Sequence, residues 1–203
     1  MKIQSIFVGL FLVFSMQSYL NASYHYENYG NYVTKSKLKY VFNRVKQKSN
    51  VSQMALAKAF YYYEKNRYAK GLSPDYIVIA DYTKLASQKR LYIIDLHTAD
   101  VSSYFVAHGR NSGAKGDRVW DASNVMGSYK TPTGFFKVGA KERVTTTKRY
   151  DYLSVEGLEW KNRNAKRREI ILHTAWYVGT KGRSRGCFAI KPEDKWQVFS
   201  RAK

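Results

Sequence analysis

Two side chains in this sequence have the types and the spacing for nucleophilic chemistry. His173 closes the apolar run Ile170-Ile171-Leu172, and Cys187 opens another, Phe188-Ala189-Ile190. Between them runs a glycine-rich basic stretch that ends Gly182-Arg183-Ser184-Arg185-Gly186. A strand, a loop and a returning strand would bring the two ends together, as a thiol and its base require. The thiolate rather than the thiol attacks a carbonyl, and a free cysteine has a pKa of about 8.5. A neighbouring imidazole and the cations Arg183 and Arg185 would favour the charged form. Gly186 admits a close backbone approach. The amides of Gly186 and Cys187 are candidate donors to a developing oxyanion, and Ser184 can hold the loop or donate nearby. Cys187 is the only cysteine in the chain. It is therefore a buried inert thiol, an intermolecular bridge or a reactive nucleophile. The flanking histidine and basic loop favour the third role.

The elements that must position this pair can be read from hydrophobic period. Residues 24–34 are polar, aromatic and aperiodic, and read as a linker. Leu38, Val41, Phe42 and Val45 repeat at helical spacing opposite Lys39, Arg44, Lys46 and Lys48. A second helical pattern runs through Val51, Met54, Ala55, Ala59, Tyr62 and Tyr63 and stops near Gly71 and Pro74. Residues 35–72 thus predict a helical hairpin. The period then becomes extended. Strands are expected at 76–81, 90–95, 101–107, 134–138, 150–155 and 169–173, with a long Gly/Ser/Asn/Asp-rich loop over 109–131. Such spacing predicts a mainly β sandwich or barrel behind an N-terminal helical hairpin, α+β as a whole.

Composition narrows the function classes. The chain has 203 residues, 35 Lys and Arg against 15 Asp and Glu, and a formal charge of +20. That length suits one ordinary domain with a short addition. One cysteine excludes a disulfide scaffold and a Cys-rich metal site, and no HExxH or paired His/Asp cluster supports any metal. The start has the order of a signal peptide: Met1-Lys2, the apolar run Ile6 to Phe14, then small residues to Ala22-Ser23. The run is short for a membrane span, which needs about 20 apolar residues. The expected organisation is a signal peptide over 1–22 that is not part of the fold, a linker and helical prefix over 23–72, and a catalytic domain over 73–203. Export to the periplasm or cell envelope follows, with no stable membrane insertion after cleavage. A basic surface with aromatics also invites a nucleic-acid reading. No RRM, KH, zinc-finger or helix-turn-helix signature accompanies it, and anionic envelope polymers are the simpler partners for an exported cation.

Ser184-Arg185-Gly186-Cys187 with upstream His173 resembles the signature of L,D-transpeptidase (YkuD-like) catalytic domains. Thr131-Pro132-Thr133-Gly134-Phe135-Phe136 resembles the Thr-Pro-x-Gly-x-Phe segment of that family. The resemblance is nearest to the branch called the murein L,D-transpeptidase catalytic domain family, through Ala107-His108-Gly109-Arg110 and Gly182-Arg183-Ser184 as well. It covers residues 76–191. The chain departs at Arg185, where many members carry a second histidine, and in having no arginine shortly after Cys187. The resemblance implies an exported cysteine acyltransferase acting on peptidoglycan stem peptides. Cys187 would attack the L-centre carbonyl of diaminopimelate at its bond to D-alanine. His173 would shuttle the proton, and the Thr174 carbonyl would orient its ring in place of a carboxylate. An amine would resolve the thioester in transpeptidation, water in L,D-carboxypeptidation. No metal or organic cofactor is needed. Arg183, Arg185 and Arg168 bracket the pair and suit the carboxylates of such a substrate. His108 would line the same cleft or serve as a hydrogen-bonded structural histidine. The rival in another class is a basic cell-wall-binding protein with a silent site.

The remaining features have plainer readings. His25 and His97 look like surface residues. Tyr61-Tyr62-Tyr63 reads as helix packing rather than a sugar platform. Asp75, Asp81 and Asp95 read as turn residues rather than acid/base carboxylates.

Overall fold

The alternation along the first apolar run decides the centre of the molecule. In the computed structural model, which describes residues 8–15, 33–113, 118–142, 151–179 and 183–203, Val8–Phe14 forms strand β1. Leu10, Leu12 and Phe14 enter one apolar cluster, and Phe11 and Val13 enter a second on the other face, as the two-residue period of a strand requires. The expectation that the first twenty-odd residues lie outside the fold is therefore corrected at this segment. A continuous apolar run of seven residues fits a strand buried on both faces as well as a leader, and periodicity alone does not separate them. Met1-Lys2, residues 16–22 with the expected cleavage point, linker residues 24–32 and Gly182 lie outside the described residues.

Helices α1 (Ser36–Lys48) and α2 (Gln53–Asn66) form the expected hairpin. Their apolar faces, Leu38, Val41, Phe42 and Val45 on α1 with Leu56, Phe60 and Tyr63 on α2, are buried against the first cluster. The Glu64 carboxylate accepts from the amides of Thr34 and Lys35 at 2.9 Å each. It thereby satisfies donors at the start of α1 that have no partner within a helix. Asp81 does the same for α2 by accepting from the Ser52 amide at 2.9 Å.

The remaining strands are β2 (Leu72–Asp81), β3 (Leu91–Asp95), β4 (Val101–Tyr104), β5 (Val106–Ala107), β6 (Gly134–Glu142), β7 (Tyr152–Gly157), β8 (Ile171–Thr174) and β9 (Phe188–Ile190). They join one nine-stranded sheet in the order β4-β3-β2-β1-β6-β7-β8-β9-β5. The two edge strands, β4 and β5, are separated in sequence by Phe105 alone, so the edges must lie side by side. The sheet is thus nearly closed and barrel-like, and the mainly β, α+β reading holds. Strand β2 begins earlier than expected and includes Pro74. Its register against β1 shifts between Leu72 and Ile77, so the proline sits in an irregular stretch of the ladder. A C-terminal helix, α3 (Lys195–Ala202), was not expected, and it buries Val198, Phe199 and Ala202 in the second cluster. Among the described residues no helix is long and apolar enough to cross a membrane.

Candidate active site

Strands β8 and β9 run parallel, with Leu172 opposite Phe188 and His173 opposite Ala189. The returning strand is thus not an antiparallel partner. The chain crosses back and starts again beside β8. Counting back one position sets Cys187 beside Ile171, on the face that His173 shares, while Leu172 and Phe188 point into the second cluster. His173 and Cys187 line one cavity of about 600 Å³ with Arg168, Glu169, Arg183 and Arg185. The structure therefore brings the two chemical residues together.

The His173 ring is fixed by a backbone group. Its Nδ1 lies 2.9 Å from the Thr174 carbonyl oxygen. A carbonyl only accepts, so Nδ1 carries the proton and Nε2 is the basic nitrogen of the neutral ring. Beside Cys187, the turn is tied internally. The Ser184 hydroxyl donates to the Cys187 carbonyl at 2.7 Å and accepts from the Gly186 amide at 3.0 Å. The expected oxyanion pair of Gly186 and Cys187 amides is corrected here, because the Gly186 N–H is committed inside the turn. Ser184 is buried and holds the loop. Gly186 has φ +125°, and a Cβ there would come within 3.0 Å of the Lys130 carbonyl oxygen and 2.9 Å of Ile170. Glycine is needed for conformation and for close packing of the protein on itself.

The segments that resembled the family meet at this turn. The Gly109 amide donates to Thr131 Oγ1 at 2.7 Å, and Thr131 Oγ1 donates to the Gly186 carbonyl at 3.1 Å. The Ser184 amide donates to the His108 carbonyl at 3.0 Å, and the Arg110 amide to the Ser184 carbonyl at 2.8 Å. A side chain on Gly109 would press on the Tyr129 carbonyl. His108 itself does not line the cavity. It is fully buried, and its Nδ1 lies 2.7 Å from a guanidinium nitrogen of Arg90. A guanidinium only donates, so His108 carries its neutral-ring proton on Nε2, which has no partner among the described residues. Burial, then the charges of Arg90 and Arg183, push its pKa down to about 3. His108 is the structural histidine of the two readings.

Sequence reasoning missed Arg90. Its amide donates to the Tyr104 carbonyl on β4, its Nε to the Val106 carbonyl on β5 at 3.0 Å, and Nη1 to Lys84 at 2.9 Å. One fully buried cation therefore stitches the two sheet edges together, its guanidinium 4.6 Å from the Tyr82 ring centroid. A buried arginine spends its donors on carbonyls that a closed sheet would otherwise leave unpaired. In sequence it is a polar residue at the start of a strand, with nothing to mark it. Arg168 also differs from expectation. Its guanidinium donates to the Ser123 carbonyl, to Ser128 Oγ at 3.1 Å and to the Lys130 carbonyl at 2.6 Å. Arg183 and Arg185 line the cavity, Arg185 from an exposed position. No group of three metal-ligating side chains occurs among the described residues.

The family model described as the L,D-transpeptidase catalytic domain matches residues 47–203. The match takes in α2, ahead of the boundary expected at residue 73. No curated protein and no solved structure matches the chain. With more than half of its length covered by that model, the chain belongs to the L,D-transpeptidase catalytic domain family of peptidoglycan enzymes.

Proposed function

We propose that the protein is an L,D-transpeptidase that works through a thioacyl-enzyme on Cys187. The observation that carries this is the hydrogen bond from His173 Nδ1 to the Thr174 carbonyl, which makes Nε2 the base in the cavity that Cys187 lines. His173 takes the Cys187 proton, and the thiolate attacks the L-centre carbonyl of diaminopimelate in a stem peptide. The C–N bond to D-alanine breaks, and His173 returns the proton to the leaving amine. An amine of a second stem peptide then attacks the thioester and regenerates the thiol. Arg183 and Arg185 are the cations on the cavity wall for the carboxylates of the substrate, and the reaction needs no metal. We place the reaction in the cell envelope, where this polymer lies and to which the leader-like start points. Mature protein incubated with a purified tetrapeptide muropeptide should yield cross-linked dimers with loss of D-alanine by mass spectrometry. Tripeptide alone would make the enzyme an L,D-carboxypeptidase. No product from a folded protein would leave a basic wall-binding protein.

A further inference from the structure

The chain enters β8 through a helical turn whose end faces Cys187. The Ile170 amide donates to the Ala165 carbonyl at 3.0 Å and the Glu169 amide to the Lys166 carbonyl at 3.0 Å. Glu169 has φ +54°. These two bonds around one left-handed residue are a Schellman ending, which usually carries glycine at that position. A glutamate held there turns its carbonyl toward the nucleophile, and Cys187 Sγ donates to the Glu169 carbonyl at 3.5 Å. Arg168, the residue before, is fixed by the same ending.

Its guanidinium reaches in the other direction, to the loop that forms the opposite lip of the cavity. It holds Ser123, Ser128 and Lys130. In that loop Tyr129 has φ +53°, unusual for a bulky residue, and Arg110 stacks on its ring at 4.0 Å from the centroid. Lys130, whose carbonyl Arg168 grips, crowds Gly186 together with Ile170, and the guanidinium itself would stand 3.3 Å from a Cβ at Gly186. Arg168 is half-buried and spends its forked donors on protein carbonyls and a hydroxyl, which is not the arrangement of a side chain that reads substrate carboxylates.

We propose that Arg168 is a positioning residue for the Cys187 turn: it ties the 123–130 loop against Gly186 and sets a fixed positive charge beside the sulfur. The proposal rests on Cys187 being the nucleophile. Arg168 and the Cys187 thiolate attract each other, an interaction that counters the fall in the arginine's pKa caused by burial. By reciprocity the guanidinium favours the thiolate. The other titratable groups lining this cavity are Glu169, His173, Tyr129, Tyr177, Arg183 and Arg185. Arg168 is bonded to the lip at Ser123 and Ser128 and to the Lys130 carbonyl that approaches Gly186.

The test reads Cys187 directly. Alkylation by iodoacetamide followed against pH reports the thiolate without any peptide substrate. In Arg168→Gln the alkylation midpoint should move up by about one pH unit, and kcat on the muropeptide should fall about 10- to 100-fold while KM stays close to that of the wild type. Arg168→Lys keeps the charge but not the fork, so the midpoint should stay near the wild-type value while kcat still falls. An unmoved midpoint in a folded Arg168→Gln protein overturns the proposal, as does a rise in KM with kcat retained, the result expected of a carboxylate binder. Should Arg168→Gln fail to fold, Arg168→Lys decides alone, and wild-type kcat in that variant refutes the clamp. If wild-type protein turns over no muropeptide but its alkylation midpoint follows Arg168 as stated, the enzymatic reading fails and the positioning role stands.

Discussion

Histidines 173 and 108 flank the Cys187 turn and are fixed as opposite tautomers. His173 donates a hydrogen bond from its Nδ1–H to a neutral backbone carbonyl, so its basic nitrogen is Nε2. His108 accepts a hydrogen bond from a guanidinium at Nδ1, so its basic nitrogen is already engaged by a cation, and burial together with that charge drives its pKa to about 3. In the reaction proposed above, the first ring takes the thiol proton at Nε2. The second cannot, and serves instead as an acceptor that holds Arg90 in the seam between β4 and β5. Residue type gives both the same capability, and the partner at Nδ1 decides which one can use it.

The sharpest way to break this comparison is to remove each ring. His173→Ala and Cys187→Ser should each lower muropeptide turnover by about 10³-fold or more, whereas His108→Asn, which keeps an acceptor near the Nδ1 position, should retain turnover within about tenfold. Steady-state assays of the three variants check this, and comparable losses in all three would abolish the distinction.

The supports of the two regions differ as well. Phe188, next to Cys187, packs edge-on against Phe11 of β1 at 4.9 Å between centroids, and Phe136 lies 5.6 Å from Phe188. A chain that begins at Ser23 loses β1 from the middle of the sheet and with it Phe11. Its unfolding free energy should be lower by more than the 3–5 kcal/mol typical of one Phe→Ala core deletion, read by chemical denaturation beside the full chain. Equal stability would mean that β2 and β6 close directly on each other, leaving the apolar run free to act only as a leader. Amino-terminal mass analysis of the envelope-associated protein reads which form the cell keeps.

On the other side, Arg90→Met should cost about 3 kcal/mol, because the Lys84 and Val106 carbonyls and His108 Nδ1 lose their donor in a buried place. The loss should fall on stability with little change in the Cys187 alkylation rate of the folded fraction. The smallest effect per step is the pH dependence of stability, read one pH unit at a time. The folded pKa of His108, about 3, lies below the unfolded value of about 6.5, so the unfolded chain binds the proton first as pH falls. The contribution is complete above about pH 6.5 and is lost progressively toward pH 3, by up to about 1.4 kcal/mol per pH unit. Denaturation curves across that range should steepen for the wild type and flatten for His108→Asn.

Local patterns in the sequence carried a good deal. The 3.6-residue period of Leu38, Val41, Phe42 and Val45, the extended runs from Tyr76 onward, and the His173-to-Cys187 spacing are properties of contiguous segments. They are legible because a helix face or a strand end is set by neighbours in the chain. The family resemblance rested on such segments too, and the match over residues 47–203 bears it out. What only the tertiary structure decided are the relations between segments far apart in sequence. The apolar run at Val8–Phe14 had two consistent readings, and its insertion between β2 and β6 is a choice among long-range pairings. Arg90 has meaning only once β4 and β5 meet, Thr131 only once the Gly109 amide and the Gly186 carbonyl come to its hydroxyl. By type, Arg168 suits a substrate carboxylate and Gly186 a close approach or an oxyanion, while Ser184 suits either the loop or a nearby donor, yet the hydrogen bonds of all three go to the protein's own turn and lip. A side chain's donors are spent on whichever partners folding brings within about 3 Å, and the sequence alone does not display those partners.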